Sequence, residues 1–199
     1  MKIYGGFKAQ KNEGFLDVPP VGAYEAVIQK ARFVKADGDK VQKDQFELFI
    51  DITEGDYKGR YMELYNDQKE KWGDKASYKG MFRIVIPAED DELWKKKSFE
   101  HGIWAINDSN DFEIDFDKEP VADQMNGKKI CINVRKRMYT YNGKDKETTE
   151  IGRLESMKDY KAGKVKEMNP NDRRSNESKE DSTDGSSFTD VSKSVDVPW

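Results

Sequence analysis

The segment Lys128–Tyr141 concentrates side chains that could bind a charged and aromatic ligand. If the segment is a strand, successive side chains alternate between its two faces. One face then carries apolar residues, namely Ile130, Ile132, Val134 and Met138. The other face carries Asn133, Arg135, Arg137, Tyr139 and Tyr141. Guanidinium groups suit phosphates and phenol rings suit bases, which is the chemistry of single-strand binding. A solvated outer face of an ordinary antiparallel strand explains the same residues, so the segment alone leaves both interpretations open.

Residues elsewhere in the chain could extend such a surface. The cations expected to pair with phosphates are Arg60, Arg135, Arg137 and Arg153, with Lys58, Lys128 and Lys129 extending the charged path. The rings expected to stack on bases are Tyr61, Tyr65, Tyr139 and Tyr141. Trp72 lies in a lysine-rich segment, where it is either a surface anchor or a further stacking platform. If these residues share one face, binding should tolerate any sequence and weaken steeply with salt.

The charge balance argues against a simple nucleic-acid footprint, which is usually basic. The 199 residues include 37% charged side chains and carry a net charge of −4. From Asn169 onward there are seven acids and four bases, so about −3 of this charge lies in the C-terminal segment. The remaining chain is close to neutral, and it can bind a polyanion only where its bases cluster.

The residue types needed for catalysis or metal binding are sparse. Cys131 is the single cysteine and His101 the single histidine, so neither has a second ligand of its kind. Carboxylates are frequent between residues 108 and 117, but they alternate with Phe112, Ile114 and Phe116 as a solvent-facing edge would. A small nuclease is therefore the weaker alternative. We expect no enzymatic activity, no metal and no cofactor.

The elements that must position these residues are mostly short strands. Alternation predicts strands over Ala23–Val34 and Asp44–Thr53, joined through an Asp-Gly turn. A third strand is predicted over Arg60–Asn66, followed by a mobile polar loop over Asp67–Lys79. Met81–Ile86 is a short apolar run ended by Pro87, typical of a buried strand.

The second half begins with a helical pattern over Ala88–Asn107, which Gly102 could divide in two. Trp94 and Trp104 are expected in the core of this insertion, and a role as ligand platforms is the alternative. A short helix over Glu119–Asn126 is followed by the strand Lys128–Tyr141, an Asn-Gly turn and a returning strand over Glu147–Met157. The polar segment Lys158–Met168 has no assigned structure.

The order of these elements predicts a mainly β fold with a helical insertion around 88–107. Five short strands separated by glycine turns fit a five-stranded OB-fold-like barrel. We expect an extended arm over residues 1–22, one domain over 23–168 and a disordered acidic tail over 169–199. No apolar run could span a membrane and the N-terminus resembles no signal peptide, which predicts a soluble intracellular protein.

Four segments resemble, in order and spacing, a family of phage proteins of the DUF669 type. They are YEAVIQKARF, ITEGDYKGRYMELYN, WAINDSNDFEIDF and MNGKKICINVRKRMYTYNGK, and the similarity covers roughly residues 20–158. The family is regarded as single-stranded-DNA-binding proteins of phage replication and recombination. The resemblance implies a sequence-tolerant, non-catalytic DNA-binding protein in the cytoplasm of a bacterial host.

The last residues are similar to the C-terminal tip of bacterial single-stranded-DNA-binding proteins. That tip is acidic and ends in Asp-x-Pro-Phe, whereas this chain ends in Asp196, Val197, Pro198 and Trp199. The similarity implies recruitment of replication or recombination proteins through these four residues. Folding of Trp199 back onto the body is the alternative. Self-association is left open, and the runner-up function is a protein-interaction adaptor that never touches DNA.

Overall fold

The computed structural model of this protein describes residues 17–174. Its strands are β1 (Gly22–Val34), β2 (Gln45–Ile52), β3 (Met81–Val85), β4 (Lys129–Tyr141), β5 (Lys144–Glu155) and β6 (Asn171–Arg173). Its α-helices are α1 (Arg60–Trp72), α2 (Leu93–Asn110) and α3 (Met157–Lys161), and 3-10 helices cover Gly73–Lys75 and Val121–Met125. The prediction of a mainly β fold is confirmed, and the predicted helical insertion around 88–107 contains α2.

The strands form one open sheet in the order β3-β2-β1-β4-β5, and β6 pairs with β4. All pairings are antiparallel except that of β6, which runs parallel to β4. Strands β3 and β5 are the ends of this order, so the sheet does not close into a barrel. Helix α2 contacts β3, β4 and β5 and therefore lies across the opening between the two end strands.

The two predicted hairpins are confirmed, and each depends on its turn residues. Between β1 and β2, Asp37 Oδ1 accepts hydrogen bonds from the backbone N–H groups of Lys40 and Val41, both at 2.8 Å. Between β4 and β5, Asn142 and Gly143 both have positive φ, at 51° and 69°, as a type I′ turn requires. These local signals set the register of four of the six strands.

The third predicted strand is wrong, because residues 60–66 open helix α1. Tyr61, Leu64 and Tyr65 are buried at the spacing of one helical face. The carboxylate of Asp51 accepts hydrogen bonds from the N–H groups of Tyr61 at 3.1 Å and Met62 at 3.2 Å, which satisfies the helix start. The predicted mobile loop over 67–79 is also wrong, since α1 continues to Trp72 and Tyr78 is buried.

Helix α2 corrects three further expectations. It begins at Leu93 and runs without a break to Asn110, so Gly102 does not divide it. Gly102 instead leaves room for Ile84 of β3, whose Cδ1 would lie 3.2 Å from an added Cβ. Trp94 and Trp104 are 56% and 43% exposed, so neither is a core residue.

The core lies between the inner face of the sheet and the helical segments. Strand β4 contributes Ile130, Ile132 and Val134, which are fully buried as predicted. Asn133, predicted on the outer face, is also buried, and Met138 is only half-buried, so burial along β4 does not follow the predicted alternation. The predicted short helix is confirmed as the 3-10 helix Val121–Met125, which buries Val121, Ala122 and Met125. Within the described residues, no helix is both long enough and apolar enough to cross a membrane.

The predicted disordered tail over 169–199 begins too early. Residues Asn171–Arg173 form β6 and pair with Arg137, Met138 and Tyr139 of β4. Part of the unassigned segment, together with Met157, is helix α3. Residues 1–16 of the predicted arm and residues 175–199 of the tail lie outside the described residues.

Candidate functional site

The outer face of β4 has the predicted composition, but its cations are paired. Arg135 Nε donates to Glu150 Oε1 at 3.0 Å, and Arg137 Nη1 lies 3.8 Å from Glu150 Oε2. The guanidinium of Arg137 also stacks over the Tyr139 ring, 5.4 Å from its centre. One carboxylate thus offsets part of the charge that the sequence suggested for this face.

The segment 166–173 covers part of the same face. Asn133 Nδ2 donates to the carbonyl oxygen of Lys166 at 2.8 Å, and Asn171 Nδ2 donates to Glu150 Oε1 at 2.7 Å. Beyond Val134, β4 no longer pairs with β1 and continues with β5 as a hairpin arm, residues 135–150. Tyr141, near the tip of the hairpin arm, is 61% exposed and remains accessible.

Tyr61 and Tyr65 do not fit the predicted stacking role. They are only 3% and 7% exposed, because both rings point from α1 into the core. Burial also raises the pKa of Tyr61 well above its usual value. A base cannot stack on a ring that the protein already covers, so these two residues are structural.

The other predicted contact residues lie on separate elements. Arg60 Nε lies 3.3 Å from Glu63, and its guanidinium lies over the Tyr57 ring at 5.6 Å. Lys128 Nζ lies 3.7 Å from the centre of the Phe112 ring. Lys58, Lys129 and Trp72 are exposed, the last at the end of α1. Arg153 alone among the predicted cations lines a large cavity between β1, β2, β3, β5 and α2.

That cavity is a cleft of about 870 Å³, here termed the seam cleft. Its walls are the end of β1 and the loop that follows it, the strands β2 and β3, the segment before α2, α2 itself and β5. Seven cationic side chains line it against three carboxylates, a net charge of +4 in a chain of −4. The cations are Arg32, Lys40, Lys43, Arg83, Lys95, Lys97 and Arg153, and the carboxylates are Asp37, Glu47 and Asp91.

One of these carboxylates binds two arginines. Glu47, whose side chain is 5% exposed, accepts hydrogen bonds from Arg32 Nη2 at 2.7 Å and from Arg83 Nε at 3.0 Å. The three residues are cross-strand neighbours in register, because Arg32 pairs with Glu47 and Glu47 with Arg83. The cluster carries one net positive charge, and the central carboxylate holds both guanidinium groups in place.

A second carboxylate binds two lysines in the same way. Asp91 forms ion pairs with Lys43 and with Lys95, the latter at 3.4 Å, and it accepts the backbone N–H of Ala88 at 2.7 Å. The hydrogen bond from Lys43, followed by that from Ala88, lowers the pKa of Asp91 to about 2. The group therefore stays ionised at neutral pH, and this cluster also keeps one net positive charge.

Trp94 supplies an exposed ring beside these cations. Lys95 Nζ lies 5.4 Å from the centre of its ring, within the range of a cation–π contact. The indole N–H donates to Glu92, which fixes the ring at the start of α2. Lys40 and Lys97 are exposed and also line the cleft. The seam cleft thus offers fixed cations, long lysines and one flat apolar surface.

Next to His101 and Arg153, which line the cleft, Glu155 joins α2 to β5. His101 Nε2 lies 3.0 Å from the Leu154 carbonyl oxygen and 3.2 Å from Glu155 Oε2. Arg153 Nε donates to Glu155 Oε1 at 2.6 Å. Burial alone would raise the pKa of Glu155, but the hydrogen bonds from His101 and Arg153 lower it below its usual value.

The described residues offer little for covalent or metal chemistry. Cys131 is fully buried, and burial raises the pKa of its thiol to about 12, so no thiolate forms near neutral pH. In the part of the chain covering 17–174, no group of three or more His, Cys, Asp or Glu side chains could hold a metal ion. The seam cleft is suited to binding a polyanion with flat apolar parts.

Comparison with models of known protein families found no match to this chain, and comparison with curated proteins found none either. The resemblance to the phage family therefore stays a prediction. The evidence for the candidate site is the geometry of the described residues.

Sequence reasoning missed most of the seam cleft, although a local signal was present. Trp94 is followed directly by Lys95, Lys96 and Lys97. The same pattern, a tryptophan among lysines, had marked Trp72 as a candidate. The helical spacing predicted Trp94 in the core instead. Only the contacts that α2 makes in the folded protein distinguish a core position of this ring from an exposed one.

Proposed function

We propose that this protein binds single-stranded DNA without strong sequence preference and that the seam cleft holds the strand. The observation that carries the proposal is the charge of the cleft, seven cations against three carboxylates, with the exposed Trp94 beside them. Phosphates would neutralise the cations and release counterions, while bases would stack on the indole. The acidic chain as a whole would still repel DNA elsewhere, which concentrates binding in the cleft.

The strand order supports an OB-type fold as the finer proposal. The order β3-β2-β1-β4-β5, with α2 between β3 and β4, is that of an OB-type barrel whose seam between β3 and β5 is unpaired. Such barrels are partly open and bind oligonucleotides on strands 2 and 3 and on the loops after strands 1 and 4. The loop after β1, together with β2 and β3, lines the seam cleft here.

The hairpin arm is the second loop that this proposal involves. Arg137, Tyr139 and the exposed Tyr141 lie on its outer face, beyond the end of β1. We place the arm at the flank of the bound strand, because Glu150 already binds its two arginines. Its contribution to affinity should therefore be smaller than that of the cleft.

The recruitment of replication or recombination proteins by Asp196–Trp199 remains part of the proposal. These residues lie outside the described structure, so the support is the sequence alone. Deleting residues 190–199 should abolish capture of such partners and leave DNA affinity unchanged or slightly higher.

Titration of the intrinsic tryptophan fluorescence with oligo-dT at several salt concentrations tests the DNA proposal. Lys40 and Lys97 are exposed and form no ion pair in the described structure, so Lys40→Gln with Lys97→Gln should fold normally. The double variant should bind more weakly and lower the slope of log K against log salt by about 0.7 per lost phosphate contact.

The matched control removes the same charge outside the cleft, by Lys69→Gln with Lys118→Gln. Both lysines are exposed, and neither lines the seam cleft. Equal losses in the two double variants would overturn the assignment to the cleft. Absence of any oligo-dT binding by the unaltered protein at low salt would overturn the DNA proposal and favour the adaptor function.

A further inference from the structure

A second recess of about 380 Å³ adjoins the seam cleft. The two cavities share His101 of α2 and Arg153 of β5 as lining residues. The second recess then continues along α2 to Trp104 and is bordered on its other side by Lys164 and Lys166. The shared residues make the two cavities neighbours along one helix.

Trp104 is the feature of this recess that the fold does not explain. It is 43% exposed, whereas its neighbours Ile103 and Ala105 are buried in the core. Its ring lies 5.3 Å from the His101 ring, tilted by 41°, so the two rings form one aromatic edge. Trp104 follows Trp94 by ten positions, which corresponds to about 15 Å along the helix axis.

The charges of the recess are compatible with a phosphate chain. Lys164 Nζ lies 3.4 Å from Asp159, and Arg153 is bound to Glu155, so two of the three cations are offset. Lys166 has no ion pair within the described residues and is exposed. Its backbone is held on β4 by the hydrogen bond from Asn133 Nδ2 to its carbonyl oxygen.

We propose that the second recess is an extension of the DNA site, which takes the nucleotides that follow those in the seam cleft. This inference rests on the proposed function. A strand leaving the cleft passes over the bridge formed by His101, Glu155 and Arg153. One base then stacks on Trp104, and Lys166 pairs with the adjacent phosphate.

The length of the bound strand distinguishes this extension from the cleft alone. The affinity of the protein should be measured for a series of oligo-dT from about 4 to about 16 nucleotides. It should rise with length in two steps, the first as the cleft is filled and the second as the recess is filled. Trp104→Leu with Lys166→Gln should remove the second step, at a loss of about fivefold or more for long strands. The same variant should bind the shortest strands as the unaltered protein does.

Fluorescence provides a second readout that does not depend on affinity. Replacing Trp72, Trp94 and Trp199 by Phe leaves Trp104 as the sole indole. Its emission should be quenched by long strands and unaffected by short ones. Short-strand binding that depends on Lys40 and Lys97, with no Trp104 quenching at any length, would overturn the extension and leave the proposed function standing. No binding at any length would overturn both.

Discussion

Arg32 donates two hydrogen bonds to one carboxylate oxygen of Glu47, from Nε at 2.9 Å and from Nη2 at 2.7 Å. The other carboxylate oxygen accepts from Arg83 Nε at 3.0 Å, so β1 and β3 are joined through a side chain of β2. The arrangement is both structural and functional in our proposal. It stabilises the outer face of the sheet. It also presents two guanidinium groups to the cleft, and the cluster keeps one net positive charge.

Replacing Glu47 with Gln should separate these two roles. The amide cannot accept from both arginines with the strength of a carboxylate, so the free energy of unfolding should fall by about 1–3 kcal/mol. Affinity for oligo-dT at low salt should rise, because the cleft gains one positive charge. Urea unfolding and fluorescence titration measure the two effects on the same sample.

Glu150→Gln is the matched control for that substitution. It frees Arg135 and Arg137 on the hairpin arm instead of Arg32 and Arg83 in the cleft. If the cleft is the main site, Glu150→Gln should raise affinity less than Glu47→Gln does. The reverse order would move the principal site to the hairpin arm.

Aromatic side chains of the seam cleft should contribute more to DNA affinity than those of the hairpin arm. Trp94→Leu removes the exposed ring of the cleft and should weaken binding about fivefold or more, as the loss of one stacked base predicts. Arg137→Ala with Tyr139→Ala removes the cation–π pair of the hairpin arm and should cost less. Circular dichroism confirms that each variant is folded, and a larger loss in the hairpin variant would contradict the proposed roles.

Gly80 should be the least replaceable of the described glycines. A Cβ at this position would lie 2.2 Å from the Ile50 carbonyl oxygen, and backbone cannot move aside as a side chain can. The Ile50 N–H also donates to the Gly80 carbonyl at 2.9 Å, so the two segments are held together. Gly80→Ala should reduce the free energy of unfolding by more than about 2 kcal/mol.

Gly102→Ala provides the comparison, because its Cβ would meet side-chain atoms of Ile84 rather than backbone, the nearest being Cδ1 at 3.2 Å. Alanine is favoured over glycine within a helix by about 1 kcal/mol, which offsets a small shift of that side chain. Urea unfolding should therefore place this variant within about 1 kcal/mol of the unaltered protein. Equal destabilisation by both substitutions would show that the close approach at Gly80 is not decisive.

The hairpins could be predicted from sequence because their signals are local. Asp37-Gly38 and Asn142-Gly143 define the turns, and the flanking residues alternate. Helix α1 could not be distinguished from a strand over so short a segment. Tyr61 and Tyr65 are four positions apart, and this spacing places them on one face of a strand as well as on one face of a helix. The decision comes from Asp51 on β2, which satisfies the first N–H groups of the helix.

The candidate site depends even more on distant contacts. Arg32, Arg83 and Arg153 come from three strands that are far apart in sequence, and the seam cleft exists because β3 and β5 do not pair. Alternation correctly placed Arg135, Arg137 and Tyr139 on one face. It could not reveal that Glu150 binds both arginines, or that residues 166–173 cover part of that face.

Asp91 should make the start of α2 sensitive to acid. Its pKa in the folded protein is about 2, below the ordinary value of 3.8, because Lys43, Ala88 and Lys95 bind the ionised form. A carboxyl whose pKa is lowered on folding stabilises the protein fully above its unfolded pKa, and this contribution is lost as pH falls through the folded pKa. The stability difference between the unaltered protein and Asp91→Asn should therefore be constant above about pH 5 and should vanish towards pH 2.

Urea midpoints measured across this range test the expectation, with Asp90→Asn, which removes the neighbouring exposed carboxyl, as the control. A difference that persists unchanged at pH 2, or that Asp90→Asn reproduces, would show that Asp91 is not the group that holds Lys43 and Lys95 in the cleft.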